Sequence, residues 1–311
     1  MRCAIVSRSL DLRAYYGAAL DRVADRIESI MHPATPSGED VQMALAWHPP
    51  ADAFDHYPNL RAVCTIGAGA DNVLACPSLR PDIHVVRVVD PAQARLMCGF
   101  VLWHVIWHQR QFATYLANQQ AQVWKRLRQR RPQDVPVGLL GYGEIGRQVA
   151  TELAGLGFPV AVWSRTPKAV PTPLRSYHGT DGLFAMLAET EVLVNLLPLT
   201  AATRGLLNAD VFGAMRKGGY LVQVGRGEHL VEADLLAALD SGQLSGASLD
   251  VFATEPLPHG HVFWSHPKIV ATPHDACDVS IEAVADTLLA TAAAISAGQR
   301  PPAAVDRTQG Y

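Results

Sequence analysis

Cysteine is scarce and never suitably spaced. Cys3, Cys64, Cys76, Cys98 and Cys277 form no C-x-x-C pair and no zinc-ligand pattern. That excludes a disulfide framework and an ordinary structural zinc site, and it fits small core residues in a reducing compartment. Long apolar runs are missing too. The most apolar stretch, residues 99–107, is interrupted by His104 and is too short to span a bilayer. The apolar run at residues 3–6 stops before Arg8 and Asp11, so it reads as a first strand rather than a signal peptide. A cytoplasmic protein with no membrane partner is expected. Charge of one sign is also lacking: the formal net charge is −3, which gives no general attraction to nucleic acid or anionic lipid. The one basic run, residues 125–131, is bounded by Pro132 and has no interleaved aromatics. It reads as a solvated helix end and loop, and no nucleic-acid partner is expected. There are no internal repeats and no low-complexity segment.

What is present is enough chain for two domains. The 311 residues are 49% hydrophobic and 18% charged, an ordinary globular balance. Short apolar runs at residues 3–6, 43–46, 62–65 and 84–87 predict strands, with a helix over 11–27 between the first two. A long helical pattern over 93–119 carries Leu96, Phe100, Trp103 and Trp107 on one stripe. Residues 131–136 read as a linker. A second series of strands is predicted at 137–140, 160–163, 192–196, 220–224, 247–250 and 269–272, and a last helix at 281–297. Strands alternating with helices predict parallel α/β sheets.

The run at 137–140 enters Gly141-Tyr142-Gly143-Glu144-Ile145-Gly146, and a helical pattern follows to about residues 155–157. Strand, G-x-G-x-x-G and helix together are the context of a dinucleotide pyrophosphate site, with the phosphates on the helix N-terminus. The end of the next strand bears on which dinucleotide. A carboxylate there would hold a ribose 2′-OH, but the residues are Ser164, Arg165, Thr166, Pro167 and Lys168. Ser164 can donate to a 2′-phosphate while Arg165 and Lys168 neutralise it, so NADP is expected over NAD, with NAD still possible.

Further strand ends carry residues suited to hydride transfer. Arg226 lies between Gly225 and Gly227, Glu255 follows Asp250, and His274 follows Pro273. Reduction of a 2-keto acid needs a fork of donors for the carboxylate and carbonyl, which Arg226 can supply. It also needs a proton, which an imidazolium can supply, and a neighbouring carboxylate orients that ring and favours its charged form. No metal is needed. His104 and His108 are four apart on a helix but have no third ligand, so they read as packed or surface histidines. Asp11 and Asp71 read as cap and turn residues.

With these motifs in this order the chain resembles the D-isomer-specific 2-hydroxyacid dehydrogenases. The likeness runs from Ala44-Leu45-Ala46-Trp47-His48-Pro49-Pro50 and Ile66-Gly67-Ala68-Gly69-Ala70-Asp71 through the glycine turn to Thr272-Pro273-His274. It closes on the tail, Val305-Asp306-Arg307 and Gly310-Tyr311. The tryptophan motif and the tail point to the bacterial branch that reduces glyoxylate and hydroxypyruvate. The resemblance implies a two-domain α/β enzyme. A Rossmann-type doubly wound sheet over residues 97–285 would hold the cofactor, and a flavodoxin-like substrate domain would be built from 1–96 and 286–311. Arg226, Glu255 and His274 would be catalytic. Trp47, Gly67, Ala68, Gly69 and Arg226 would bind the 2-keto acid. The six residues of the turn would bind the cofactor together with Ser164, Arg165, Lys168, Leu197, Pro198, Thr203, Val224, Gly225 and Asp250. A homodimer built on the helix over 93–119 is also implied. The chain departs from the pattern at Gly99-Phe100 and at Asp275-Ala276-Cys277. Asp275 puts a charge beside the proposed acid. Two alternatives stay open: reduction of bulkier 2-keto acids, and a non-catalytic nucleotide-sensing protein on the same fold.

Overall fold

The computed structural model describes residues 1–33 and 38–307; the tail motif Gly310-Tyr311 lies outside the described residues. The chain divides into two compact units, Met1–Gln93 with Asp278–Tyr311, and Ala94–Cys277.

In the first unit, β1 (Arg2–Ser7), β2 (Glu28–Met31), β3 (Val41–Trp47), β4 (Ala62–Cys64) and β5 (His84–Val86) form a sheet of order β2-β1-β3-β4-β5. Every pairing is parallel, which is the flavodoxin-like arrangement. Alternation along the strands splits the core in two. Cys3, Ile5, Met43 and Leu45 face the helices Leu12–Arg22 and Ile281–Ser296, while Ala4, Val6, Ala44 and Ala46 face Phe54 and Tyr57. The Asp11 carboxylate caps the first of these helices, accepting from the Ala14 N–H at 3.0 Å. Asp71, expected in a turn, is the first residue of the short helix Asp71–Leu74. The strand β2 was not expected. It lies at the sheet edge, half-buried at best, and has no apolar run to announce it.

In the second unit, β6 (Val137–Leu140), β7 (Val160–Ser164), β8 (Arg175–His178), β9 (Val192–Asn195), β10 (Gly219–Gln223), β11 (Leu244–Leu249) and β12 (Ile269–Ala271) follow in chain order. They assemble as β12-β11-β10-β9-β6-β7-β8, all parallel. The chain runs outward from β6 to β8, then crosses back to place β9 on the other side of β6. That reversal makes a Rossmann sheet with its switch point between β6 and β9. Leu139, Val162, Val194 and Val222 face one side, and Leu140, Ala161, Leu193 and Leu221 the other. Both faces are therefore buried, which explains why these strands read as continuous apolar runs.

The helix expected over 93–119 is two helices, Pro91–Gln109 and Phe112–Gln120. They are separated at Gln111, whose φ is 58°, and no glycine or proline marks the break. No described helix is long and apolar enough to cross a membrane.

Candidate active site

The strand β6 delivers the chain into the glycine turn. Gly141 has a φ of +104°, open to glycine and strained for other residues, and its N–H donates to the Trp163 carbonyl at 2.9 Å. A Cβ on Gly146 would stand 2.2 Å from the Gly141 oxygen, so only glycine lets the helix start against the turn. The helix Glu144–Gly155 then buries Gly146, Val149, Ala150 and Leu153 along one face. Its N-cap, Gly143, offers no side chain to the first-turn N–H groups, and a Cβ there would meet nothing within 4 Å. Free N–H donors and open space at a helix N-terminus suit a pyrophosphate. Tyr142 and Ile145 pack against the core, and Glu144 pairs with Arg147 at 3.2 Å on the surface.

At the end of β7, Ser164 is buried and its hydroxyl donates to the Thr166 carbonyl at 2.8 Å. Its proton thus shapes the turn, and the positive charge at this strand end comes from the exposed Arg165 and Lys168. After β9, Leu197 donates its N–H to the Asn195 Oδ1 at 3.2 Å, and the Thr203 hydroxyl donates to the Pro198 carbonyl at 2.8 Å. The first bond fixes the entry to the loop at the end of β9, and the second closes residues 198–203 on themselves.

Arg226 follows β10 directly after the buried Val224 and Gly225. Its Nη1 donates to the Gly225 carbonyl at 2.7 Å. A Cβ on the next residue, Gly227, would fall 1.8 Å from the Phe252 carbonyl carbon. The missing side chain therefore lets the Arg226 turn lie directly on the backbone that follows β11. There the Phe252 N–H donates to the Glu255 Oε1 at 2.9 Å, and the other oxygen, Oε2, receives the His274 Nδ1 at 2.8 Å. The imidazole and the carboxylate are about a quarter exposed, at 29% and 25%. Glu255 thus orients the His274 ring through Nδ1, the ring's second nitrogen being Nε2. His274 itself takes a φ of +58°, a conformation non-glycine residues adopt at a cost and typically at functional sites.

Asp250 sets that loop. It is 1% exposed, and its carboxylate accepts the Thr272 hydroxyl at 2.6 Å and the N–H groups of Asp275 and Ala276 at 2.9 and 3.0 Å. Its own carbonyl accepts the His274 N–H at 2.8 Å. Burial pushes the Asp250 carboxyl above the usual range, against the opposing Thr272 and backbone bonds. Asp275 directs its N–H inward, and its side chain is exposed.

In the first unit, Trp47 ends β3 and its ring meets His48 edge-on with centroids 4.8 Å apart. Gly67, Ala68 and Gly69 lie half-buried in the loop after β4. The Gly67 carbonyl in that loop accepts the Thr65 hydroxyl at 2.7 Å and the Val88 N–H at 3.1 Å. His104 and His108 diverge. His108 Nε2 lies 2.7 Å from Glu191, while His104 is buried beside Phe100 and Trp103. No cluster of three potential metal ligands occurs among the described residues.

The profile of the D-isomer-specific 2-hydroxyacid dehydrogenase NAD-binding domain matches residues 102–276, the span holding the turn, Arg226, Glu255 and His274. The chain belongs to the D-isomer-specific 2-hydroxyacid dehydrogenase family. Among this dehydrogenase's relatives is glyoxylate/hydroxypyruvate reductase A of Serratia proteamaculans, 40% identical over 86% of this chain and 87% of the relative. The NADPH-dependent glyoxylate/hydroxypyruvate reductase of Sinorhizobium meliloti, solved with NADP and sulfate, matches with a TM-score of 0.92. It is 35% identical over 100% of this chain and 99% of that one. A family member from Xanthobacter autotrophicus Py2, solved with NADPH and MES, has a TM-score of 0.89 and 36% identity, with 99% of each chain covered.

Three polar residues of this dehydrogenase escaped the sequence reading. Asn195, Gln223 and His229 are all 0% exposed and are joined to one another around Arg226. A polar residue closing each of two apolar runs, at Asn195 and Gln223, was the available signal. Such residues are buried in a sheet only when bonded.

Proposed function

We propose that this chain is an NADPH-dependent reductase of small 2-keto acids, with glyoxylate and hydroxypyruvate as the test substrates. The observation that carries this is the His274–Glu255 pair at 2.8 Å, set beside the Arg226 turn through Gly227 on the same unit as the glycine turn. Arg226 anchors the substrate carboxylate and polarises its carbonyl through paired N–H donors. Glu255, held by the Phe252 N–H, fixes the His274 ring so that Nε2 presents the proton. When bound, the reduced nicotinamide would supply the hydride that the carbonyl carbon must receive. His274 delivers its Nε2 proton to the carbonyl oxygen, which becomes the 2-hydroxyl, and the π bond between them is lost. Asp250 holds the loop on which His274 stands. The unit Ala94–Cys277 is the cofactor domain and the other unit the substrate domain, where Trp47 and the N–H groups of Gly67, Ala68 and Gly69 are assigned to the substrate.

The preference for NADPH rests on the absence of any acid over residues 164–168 and on the exposed Arg165 and Lys168. Assays with both cofactors against glyoxylate, hydroxypyruvate and a bulky 2-keto acid test the reading. The kcat/KM for NADPH should exceed that for NADH, and Arg165→Ala should cut the ratio by about tenfold, the equivalent of ~1.4 kcal/mol of lost phosphate contact. Equal use of both cofactors overturns the cofactor assignment. Turnover of the bulky acid alone overturns the substrate assignment.

We propose a homodimer as well. The support is exposed apolar surface on the second unit: the Trp103 ring lies tilted against Trp107, which stacks on Phe112, and Trp103 and Trp124 are 50% and 99% exposed. Exposed clusters of large apolar side chains commonly mark surfaces where proteins associate. Light scattering at micromolar concentration should give twice the chain mass, and Trp124→Glu should halve it. A monomeric wild type overturns the assignment.

A further inference from the structure

We propose that His229, with Asn195 and Gln223, is the positioning device for Arg226, gripping its main chain so that the guanidinium meets the substrate in one place. The proposal rests on reading Arg226 as the substrate anchor.

Asn195 closes β9 and Gln223 closes β10, and the two are register partners across the parallel pair. The Asn195 Nδ2 donates to the Gln223 Oε1 at 2.8 Å. The Gln223 Nε2 donates to the Arg226 carbonyl at 2.8 Å. On the other side of the same residue, the Arg226 N–H donates to the His229 Nδ1 at 3.0 Å. The His229 N–H returns to the Arg226 carbonyl at 3.1 Å. Both backbone polar groups of one residue are thus held by side chains of a single buried network. An amide nitrogen can only donate, and the Asn195 Nδ2 also faces the His229 Nδ1 at 3.0 Å. Nδ1 is therefore the acceptor and Nε2 carries the proton, which faces the Pro198 carbonyl at 3.3 Å. The Leu197 N–H, bonded to the Asn195 Oδ1, fixes the amide the same way round. The imidazole is held neutral by its partners and has no face toward solvent.

Space enforces the same arrangement. A Cβ on Gly225 would stand 2.8 Å from the Asn195 Nδ2 and 3.0 Å from the His229 Nδ1, so the chain passes over the network at the closest approach a backbone allows. A strand-end turn that needed only to fold could satisfy these groups with water. Here three wholly buried side chains converge on the one residue whose guanidinium must be placed accurately, and displacement of about 1 Å in such a group costs on the order of 10²-fold in rate.

The test is a double-mutant cycle on kcat/KM for glyoxylate with NADPH, using His229→Phe, which removes the acceptor, His229→Asn, which can return an oxygen acceptor, and Arg226→Gln. His229→Phe is expected to lower kcat/KM by about 10–100-fold, and His229→Asn to recover most of it. In the Arg226→Gln background His229→Phe should change the rate by less than ~2-fold, because the group it positions is already gone. Oxalate, a dead-end dianion, should bind the Phe variant more weakly by the same factor, while NADPH affinity from fluorescence titration and the urea midpoint stay near wild type. Should the Phe variant fail to fold, Gln223→Met, which removes the donor to the Arg226 carbonyl, carries the same cycle. Equal losses from His229→Phe with and without Arg226 overturn the proposal. So does a loss that follows NADPH affinity or the urea midpoint. An unimpaired Arg226→Gln enzyme overturns the anchor reading itself, and the proposal with it.

Discussion

His274→Ala is expected to lower kcat for glyoxylate reduction by about 10²–10⁴-fold while leaving NADPH binding intact. The separation follows from where the ring is held. His274 Nδ1 is taken by Glu255, and His274 stands at a strand end beside the Arg226 turn, with no part in the glycine turn at Gly141–Gly146. Removing it deletes the proton source for the new hydroxyl and leaves the nucleotide contacts alone. Glu255→Gln should lie between the two enzymes, since Gln can still bond the ring but no longer carries a charge beside it. Steady-state kinetics, with fluorescence titration of NADPH, provide the check. A His274→Ala enzyme that reduces glyoxylate at the wild-type rate would remove the catalytic reading and leave a nucleotide-binding protein.

Glu191→Ala should destabilise the second unit by about 3 kcal/mol, because it leaves the partly buried Arg130 without its carboxylate partner. Glu191 immediately precedes the central strand β9, at its N-terminal end, whereas Asn195 lies at its other end. Its side chain is 12% exposed, and it takes Arg130 Nη1 and Nη2 at 2.6 and 2.7 Å and His108 Nε2 at 2.7 Å. Burial alone would raise its carboxyl, but the bonds and charges of His108 and Arg130 reverse that and hold it at about 2, below the ordinary 4.5. A depressed carboxylate stabilises the fold fully above its unfolded value. The contribution is lost as pH falls from about 4.5 through about 2. Urea unfolding at neutral pH should show the deficit, and it should shrink in acid, where the wild type loses the same interaction. A neutral-pH midpoint equal to wild type would show that the trio contributes nothing net, as happens when desolvation cancels attraction.

Much of this architecture was legible in the sequence because buried parallel strands are apolar throughout. Residues 137–140 were placed to the residue, and the other central strands to within a few positions. The edge strands β2 and β8 were not seen, since Glu-Ser-Ile-Met and Arg-Ser-Tyr-His carry no such run. The turn residues Gly141, Gly143 and Gly146 and the proposed catalytic residues Arg226, Glu255 and His274 stand out in the sequence by type and order. What distinguished them in space did not. Asn195 and Gln223 become partners only through the register of β9 on β10, which neither strand encodes alone. The Ser164 hydroxyl looked available for a phosphate because its bond to the Thr166 carbonyl depends on the local turn. The burial of the Asp250 carboxylate was not legible either, because its three donors lie more than twenty residues away in sequence.

The contact at Gly227 has a consequence for redesign. The spacing between Arg226, the proposed anchor, and His274, the proposed acid, is set where one main chain lies on another, at Gly227 on Phe252. Side-chain substitution can reshape the walls of a substrate pocket, but it has no purchase on that spacing. Libraries aimed at new substrates should therefore yield changes in reach and bulk while the separation of carboxylate and carbonyl accepted by the enzyme stays constant. In a full mutational scan Gly227 should be as intolerant as Arg226, despite presenting no side chain to any ligand.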